Sequence, residues 1–239
     1  MIFSLAVMTL NSVSLKYTNS LKAAESKTAT TIQTEEQRPI GEQKITVNGL
    51  EKYSDSYAFY LFGFIKNNSK ISMPLNIKAS CFLKNDNNET VAFIVDYPII
   101  DYLSPLGEAP FAIAIDKVTG IEYKNYVLKI IEDGWQDVDK VKIYDLVFSE
   151  QELIYEKGIN SLIGRIENNE DIKLDRVAVY AAFLDENGKI ITVDVKLLYD
   201  LKPKTSTKFI LEGNSFQIYQ KKASNVKLYA FQDLKTIIR

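Results

Sequence analysis

The sequence predicts an all-β protein built as two tandem β-sandwich domains. Three observations carry that expectation. A stretch near one strand end occurs twice: Gly63-Phe64-Ile65-Lys66-Asn67-Asn68 returns as Gly164-Arg165-Ile166-Glu167-Asn168-Asn169, 101 residues later. Short runs rich in β-branched and aromatic residues alternate with turn residues, with no helical periodicity longer than a turn or two after residue 44. Hydrophobic residues make up 46% of the 239, with 14 Tyr and 12 Phe, enough for real cores and weighted toward strand formers.

The repeat extends beyond the six-residue stretch. At the offset of 101, Ile71 meets Ile172 and Phe82-Leu83 meets Phe183-Leu184. At an offset of 98, Leu103-Ser104-Pro105 meets Leu201-Lys202-Pro203 and Phe111 meets Phe209; at 85, Val141–Tyr144 meets Val226–Tyr229. A spacing near 100 residues suits a sandwich domain and is too long for a solenoid unit. The expected divisions are 44–145 for the first sandwich and 146–239 for the second. In the first, strands are expected at Ile45–Val47, Ala58–Ile65, Leu75–Leu83, Thr90–Val95, Pro110–Ile115, Tyr126–Ile131 and Val141–Phe148. In the second they are expected at Ser161–Ile166, Arg176–Leu184, Ile190–Leu198, Thr207–Leu211, Phe216–Tyr219 and Val226–Phe231. Asp185-Glu186-Asn187-Gly188 has the chemistry of a tight hairpin turn, since Asn-Gly accepts positive φ. Leu146-Val147-Phe148 also matches Ile45–Val47, so one strand is expected to close the first sandwich and open the second, giving a stiff two-domain rod.

Ahead of the sandwiches, residues 1–24 begin with the apolar run Met1–Leu10, too short to span a bilayer as a helix and similar to the apolar part of a secretory signal. Residues 25–43 hold almost nothing large and apolar and are expected to be a flexible linker. Export to the cell surface or medium is the expected location, with no transmembrane span.

The order of these features resembles a known family. An aliphatic run with G-x-I-x-N-N, a strand ending in an aromatic or aliphatic pair, Asp-x-x-Gly, then Leu-x-Pro before a Phe is similar to the FxLYD domain family. At the signature positions the second copy has Ala181-Ala182-Phe183-Leu184-Asp185 and the first Ser80-Cys81-Phe82-Leu83-Lys84. The resemblance implies two immunoglobulin-like modules of an exported bacterial protein, and no catalytic residues.

Composition excludes several function classes. The absence of histidine removes Ser-His-Asp and Cys-His nucleophile pairs and histidine-ligated zinc. The single cysteine, Cys81, allows neither an internal disulfide nor a thiolate cluster, and its place in an apolar alternation marks it as a small core hydrophobe. A net charge of -2 gives no basic surface for nucleic acid. No cofactor and no catalytic site are expected. The acidic stretch 132–139 lacks the ligand spacing of an EF-hand loop and is expected to be a solvated loop anchored by Trp135.

The two copies differ on one strand. Taken at the offset of 101, Ile77, Ala79, Cys81 and Leu83 match Ala178, Tyr180, Ala182 and Leu184, which sets the core face. The opposite face is polar in the first copy, whereas Val177, Val179, Ala181 and Phe183 in the second make it apolar. A strand apolar on both faces is covered on both. The candidate interaction surface is therefore Val177, Val179, Ala181 and Phe183. Its cover is expected from the neighbouring domain, the segment 233–239, self-association through the second domain, or an unknown protein or cell-envelope partner. The expected function is a non-enzymatic binding or spacer module at a bacterial cell surface. The alternative is a carboxylate-based hydrolase acting on an extracellular polymer such as a glycan.

Overall fold

The first copy opens with β1 (Ile45–Ser54), β2 (Ala58–Asn67), β3 (Ser72–Lys84), β4 (Thr90–Tyr102), β5 (Glu108–Asp116) and β6 (Asn125–Ile131). A short β7 (Gly134–Asp137) and one 3-10 turn (Val138–Lys140) follow. The second copy is β8 (Leu146–Glu156), β9 (Ile159–Asn168), β10 (Leu174–Leu184), β11 (Ile190–Leu201), β12 (Thr205–Glu212) and β13 (Asn225–Gln232). The computed structural model describes residues 45–55, 57–117, 122–140, 142–213 and 221–233. The expected leader 1–24, the linker 25–43 and the expected strand Phe216–Tyr219 lie outside the described residues.

Each copy is a pair of antiparallel sheets. The first has β1-β2-β5 against β4-β3-β6, and the second has β8-β9-β12 against β11-β10-β13. Strands 1-2-5 in one sheet and 4-3-6 in the other form the Greek-key arrangement of an immunoglobulin-like sandwich. The all-β class is as the sequence predicts. In the first core, Phe59, Leu61 and Ile65 face Ile77, Ala79, Cys81 and Leu83, all at most 1% exposed. In the second, Leu162, Ile166, Phe209 and Leu211 face Val177, Val179, Ala181 and Phe183. Each large side chain so buried contributes about 1.5–3 kcal/mol.

The repeated stretch is the pin of each sandwich. Asn67 and Asn168 are fully buried. The Asn67 carboxamide donates to Ser72 O (2.8 Å), Leu103 O (3.1 Å) and Ser104 O (3.1 Å). Asn168 donates to Ile172 O (2.9 Å), Leu201 O (3.1 Å) and Lys202 O (3.2 Å). Each Oδ1 also accepts the backbone N–H two residues on, so the local turn chemistry of the paired asparagines is real but is the smaller part of their work. The corner they hold turns through the left-handed region at Leu106 (φ 57°) and Lys204 (φ 53°).

The glycine of the stretch has a matching reason. Gly63 lies across from Phe111, and Gly164 from Phe209. A Cβ on Gly63 would come within 2.9 Å of the Phe111 ring, and one on Gly164 within 2.7 Å of Phe209. Both rings lie in space the glycines leave open. Opposite each glycine the neighbouring edge strand bulges, between Asn48 and Glu51 in β1 and between Ser149 and Glu152 in β8. The extra residue takes positive φ at Gly49 (57°) and at Glu150 (49°).

The structure corrects three expectations. The segment after the buried asparagine is one residue shorter in the second copy, because Asn67 reaches five residues forward to Ser72 and Asn168 only four to Ile172. From there the offset is 100. Lys84 pairs with Asn125 where Leu184 pairs with Asn225, and Asn85 and Asp185 each cap their hairpin from the same place. A one-residue slip moves a strand's side chains to the other face. The true counterparts of Ile77, Ala79, Cys81 and Leu83 are Val177, Val179, Ala181 and Phe183.

Second, the counterpart of β13 in the first copy is β6, since β13 lies beside β10 as β6 lies beside β3, so the match at the offset of 85 is not structural. Third, no strand spans Val141–Phe148. The segment from Ile143 to Asp145 is irregular, β8 starts at Leu146 and pairs with β9, and among the described residues no strand is shared between the copies. Replacing Asn168 by Leu keeps the branched shape and strands three carbonyls. It is expected to cost about 3 kcal/mol in chemical denaturation, with the same loss for Asn67→Leu.

Candidate functional site

The second copy's sheet β11-β10-β13 is covered on both faces. Val177, Val179, Ala181 and Phe183, each 0% exposed, point into the core of their own sandwich. They are therefore not an interaction surface; the slipped register placed them on the wrong side. The outward face of the same sheet carries Ala182 and Leu184 on β10 with Ile190 and Val193 on β11. These four pack against Phe62 and Phe64 of β2, forming a second apolar cluster. Tyr53, Tyr60, Ala112, Tyr180 and Tyr229 close its margin. The cover is the outward face of the first copy's sheet β1-β2-β5, so the two sandwiches are joined face to face within the compact span Glu42–Arg239.

Polar contacts fix this joint in place. Tyr53 Oη donates to Ile190 O (3.1 Å) and Tyr180 Oη to Ile99 O (3.1 Å). Tyr102 Oη donates to Gln232 Oε1 (3.1 Å), while Gln232 Nε2 donates to Tyr144 O (2.9 Å). Tyr229 Oη donates to Glu108 Oε1 (2.7 Å), and Lys227 approaches the same oxygen at 3.5 Å. Ion pairs Arg176–Asp101 (3.1 Å) and Lys189–Glu51 (3.3 Å) stand at its rim. The Lys227 ammonium also lies 4.7 Å above the Phe64 ring.

Burial shifts the tyrosines upward. The Tyr102 hydroxyl is pushed up to about 12, chiefly by removal from water. Tyr180 also rises to about 12 by burial, with Asp101 adding to it. Burial and the Glu108 carboxylate raise Tyr229 as well. These hydroxyls are protonated hydrogen-bond donors across the physiological range, which is a structural role.

The other sites weighed in the sequence are accounted for by the fold. The Cys81 thiol is buried and pushed up to about 12 by desolvation, which keeps it an unreactive core group. The acidic stretch 132–139 is not a free loop. β7 continues the register of β6 along β3, Asp133 pairs with Lys78 at 3.0 Å, and Trp135 Nε1 donates to Glu132 at 3.3 Å. Among the described residues no group of three or more Cys, Asp or Glu is placed to hold a metal ion. Among them, too, no helix is long and apolar enough to cross a membrane.

Cover by the neighbouring domain was among the expectations, but the residues that form the joint were not identified, though their signal was present. Apolar residues on both faces of β10 require two covers. The match at the offset of 101 also sets Phe62 and Phe64 against Ile163 and Arg165, a loss of aromatic surface confined to one face.

No protein-family model matches this chain. No curated protein matches it. Among solved structures, a glycosyl hydrolase family 2 member from Bacteroides cellulosilyticus DSM 14838 is similar at 16% identity and a TM-score of 0.26, over 78% of this chain and 28% of that one. This chain thus spans less than a third of that protein.

Two outcomes follow from the joint. Phe62→Ala is expected to lower stability by about 3–5 kcal/mol. Phe82→Ala, on the open face of the first copy, should cost about 1 kcal/mol through lost stacking on Phe93. Urea unfolding of both variants measures the difference. A tyrosine with a folded pKa above its unfolded value near 10 holds its proton more tightly when folded. Stability is then intact below pH 10 and falls as pH rises from 10 through 12. Tyr180→Phe is expected to flatten that fall, measured as unfolding midpoint against pH.

Proposed function

We propose that this chain is a non-enzymatic, exported bacterial module that presents two immunoglobulin-like sandwiches in one fixed orientation, as a binding or spacing element at the cell surface. The observation that carries the reading is the joint. An apolar cluster reinforced by interdomain tyrosine hydrogen bonds makes the two sandwiches one rigid element, and a fixed spacing is what a presenting or spacing module needs. The apolar run Met1–Leu10 supports export. The FxLYD resemblance supports assignment to exported domain families, and the partner fitting that setting is a protein or other component of the cell envelope.

Spin labels on Lys129 and Lys208, one in each copy, should give a single narrow distance distribution. A broad one would defeat the rigid-spacer reading. In producing cells the chain is expected in the envelope or medium and accessible to added protease; retention in the cytoplasm would defeat the cell-surface reading. Release of reducing ends from envelope glycans by the purified chain, abolished by a carboxylate substitution, would decide for the hydrolase instead.

A further inference from the structure

The joint covers only part of the face it rests on. Along β11, Val193 is 5% exposed beneath the first copy. The next three positions on that face, Val195, Leu197 and Tyr199, are 47%, 43% and 62% exposed. They stand across from Tyr180, Ala178 and Arg176 of β10, so the row is one surface with the joint's own floor. On a solvated edge strand these positions would ordinarily carry charge. A valine, a leucine and a tyrosine in succession extend an established apolar interface into solvent.

We propose that a second copy of this chain covers the row, through a two-fold contact that places β11 of one protomer face-on against β11 of the other. Two observations choose this occupant. The row continues an interface that already buries sheet face against sheet face, so the same surface chemistry can extend the packing outward. One end of the row carries both signs side by side: Arg176, across from Tyr199, is 3.1 Å from Asp101. A two-fold turn beside this pair sets the arginine of one protomer near the aspartate of the other, which suits a self-complementary contact. Pairing of backbone edges is disfavoured. Asp194 and Lys196 occupy the opposite face of the same edge strand, and Asp200 at its end takes φ 55°. The contact is therefore between side-chain faces. This inference concerns the purified chain and stands apart from export and from the cell-surface role.

Sedimentation equilibrium of the full chain tests it. The expected result is a reversible monomer–dimer equilibrium, weakened roughly tenfold or more by Leu197→Lys, with the circular dichroism spectrum and unfolding midpoint retained. Ile210→Lys, an equally exposed apolar position on β12, should leave the equilibrium unchanged. A Tyr199→Cys variant is expected to form a disulfide-linked dimer under mild oxidation, faster than an Ile210→Cys variant. A wild-type chain that stays monomeric at every concentration would overturn the proposal, and would leave the row to a different partner. So would a dimer indifferent to Leu197→Lys, or one weakened equally by Ile210→Lys.

Discussion

One buried carboxamide in each half sets the frame for everything after it. Asn67 and Asn168 each satisfy three carbonyls from two separate chain segments, the start of the third strand and the corner after the fourth. Buried polar groups are costly unless paired, so the segments have little freedom to slide against the pin. Because side chains alternate along a strand, fixing the entry point of β3 and β10 also fixes which of their side chains face inward. In the second copy, one residue fewer after the pin decides that Val177 rather than Ala178 enters the core.

The glycine next to the pin solves a packing problem of the same kind. Phe111 of β5 and Phe209 of β12 are buried rings that lie across from the glycines. Each needs the space that a neighbour without a Cβ leaves, at 2.9 and 2.7 Å. The bulges opposite the glycines add local twist to β1 and β8. Pin, glycine, ring and bulge recur together in both copies, so they are the part of the repeat that the sandwich requires. The surfaces carry no such requirement, and there the copies diverge.

This explains how much was legible in the sequence. The all-β class and the two-fold repeat rest on alternation, aromatic content and turn residues, all local properties. The doubled G-x-I-x-N-N marked the right elements because pin and glycine are invariant demands of the fold. The face assignment failed because a gap of one residue is invisible where flanking matches are few, and Phe82-Leu83 against Phe183-Leu184 supplied a persuasive wrong alignment. The end of the first copy failed similarly: Val141–Tyr144 resembles Val226–Tyr229 in composition, while only hydrogen bonding shows that Asn125–Ile131 is the strand beside β3. The doubly apolar strand was still informative. It demanded a cover on each face, and both covers exist, one from its own sandwich and one from the other.

At the corrected alignment, the divergence between the copies has a direction. Ser80, Phe82 and Lys84 of the first copy stand where Tyr180, Ala182 and Leu184 meet the joint in the second. Ser161, Ile163 and Arg165 of the second stand where Tyr60, Phe62 and Phe64 meet it in the first. The inner faces are apolar and mutually fitted, whereas at the equivalent positions turned away from the joint Ser80, Lys84, Ser161 and Arg165 interrupt Phe82 and Ile163. A joint of this type is heterologous, since it binds two different faces; repeated on the outer faces it would propagate into an open array. The polar substitutions remove that option and confine the stacking to one pair of sandwiches. The row Val195, Leu197 and Tyr199 lies beside the joint rather than on either outer face. Association there closes after two molecules, which is compatible with outer faces built to end the stack.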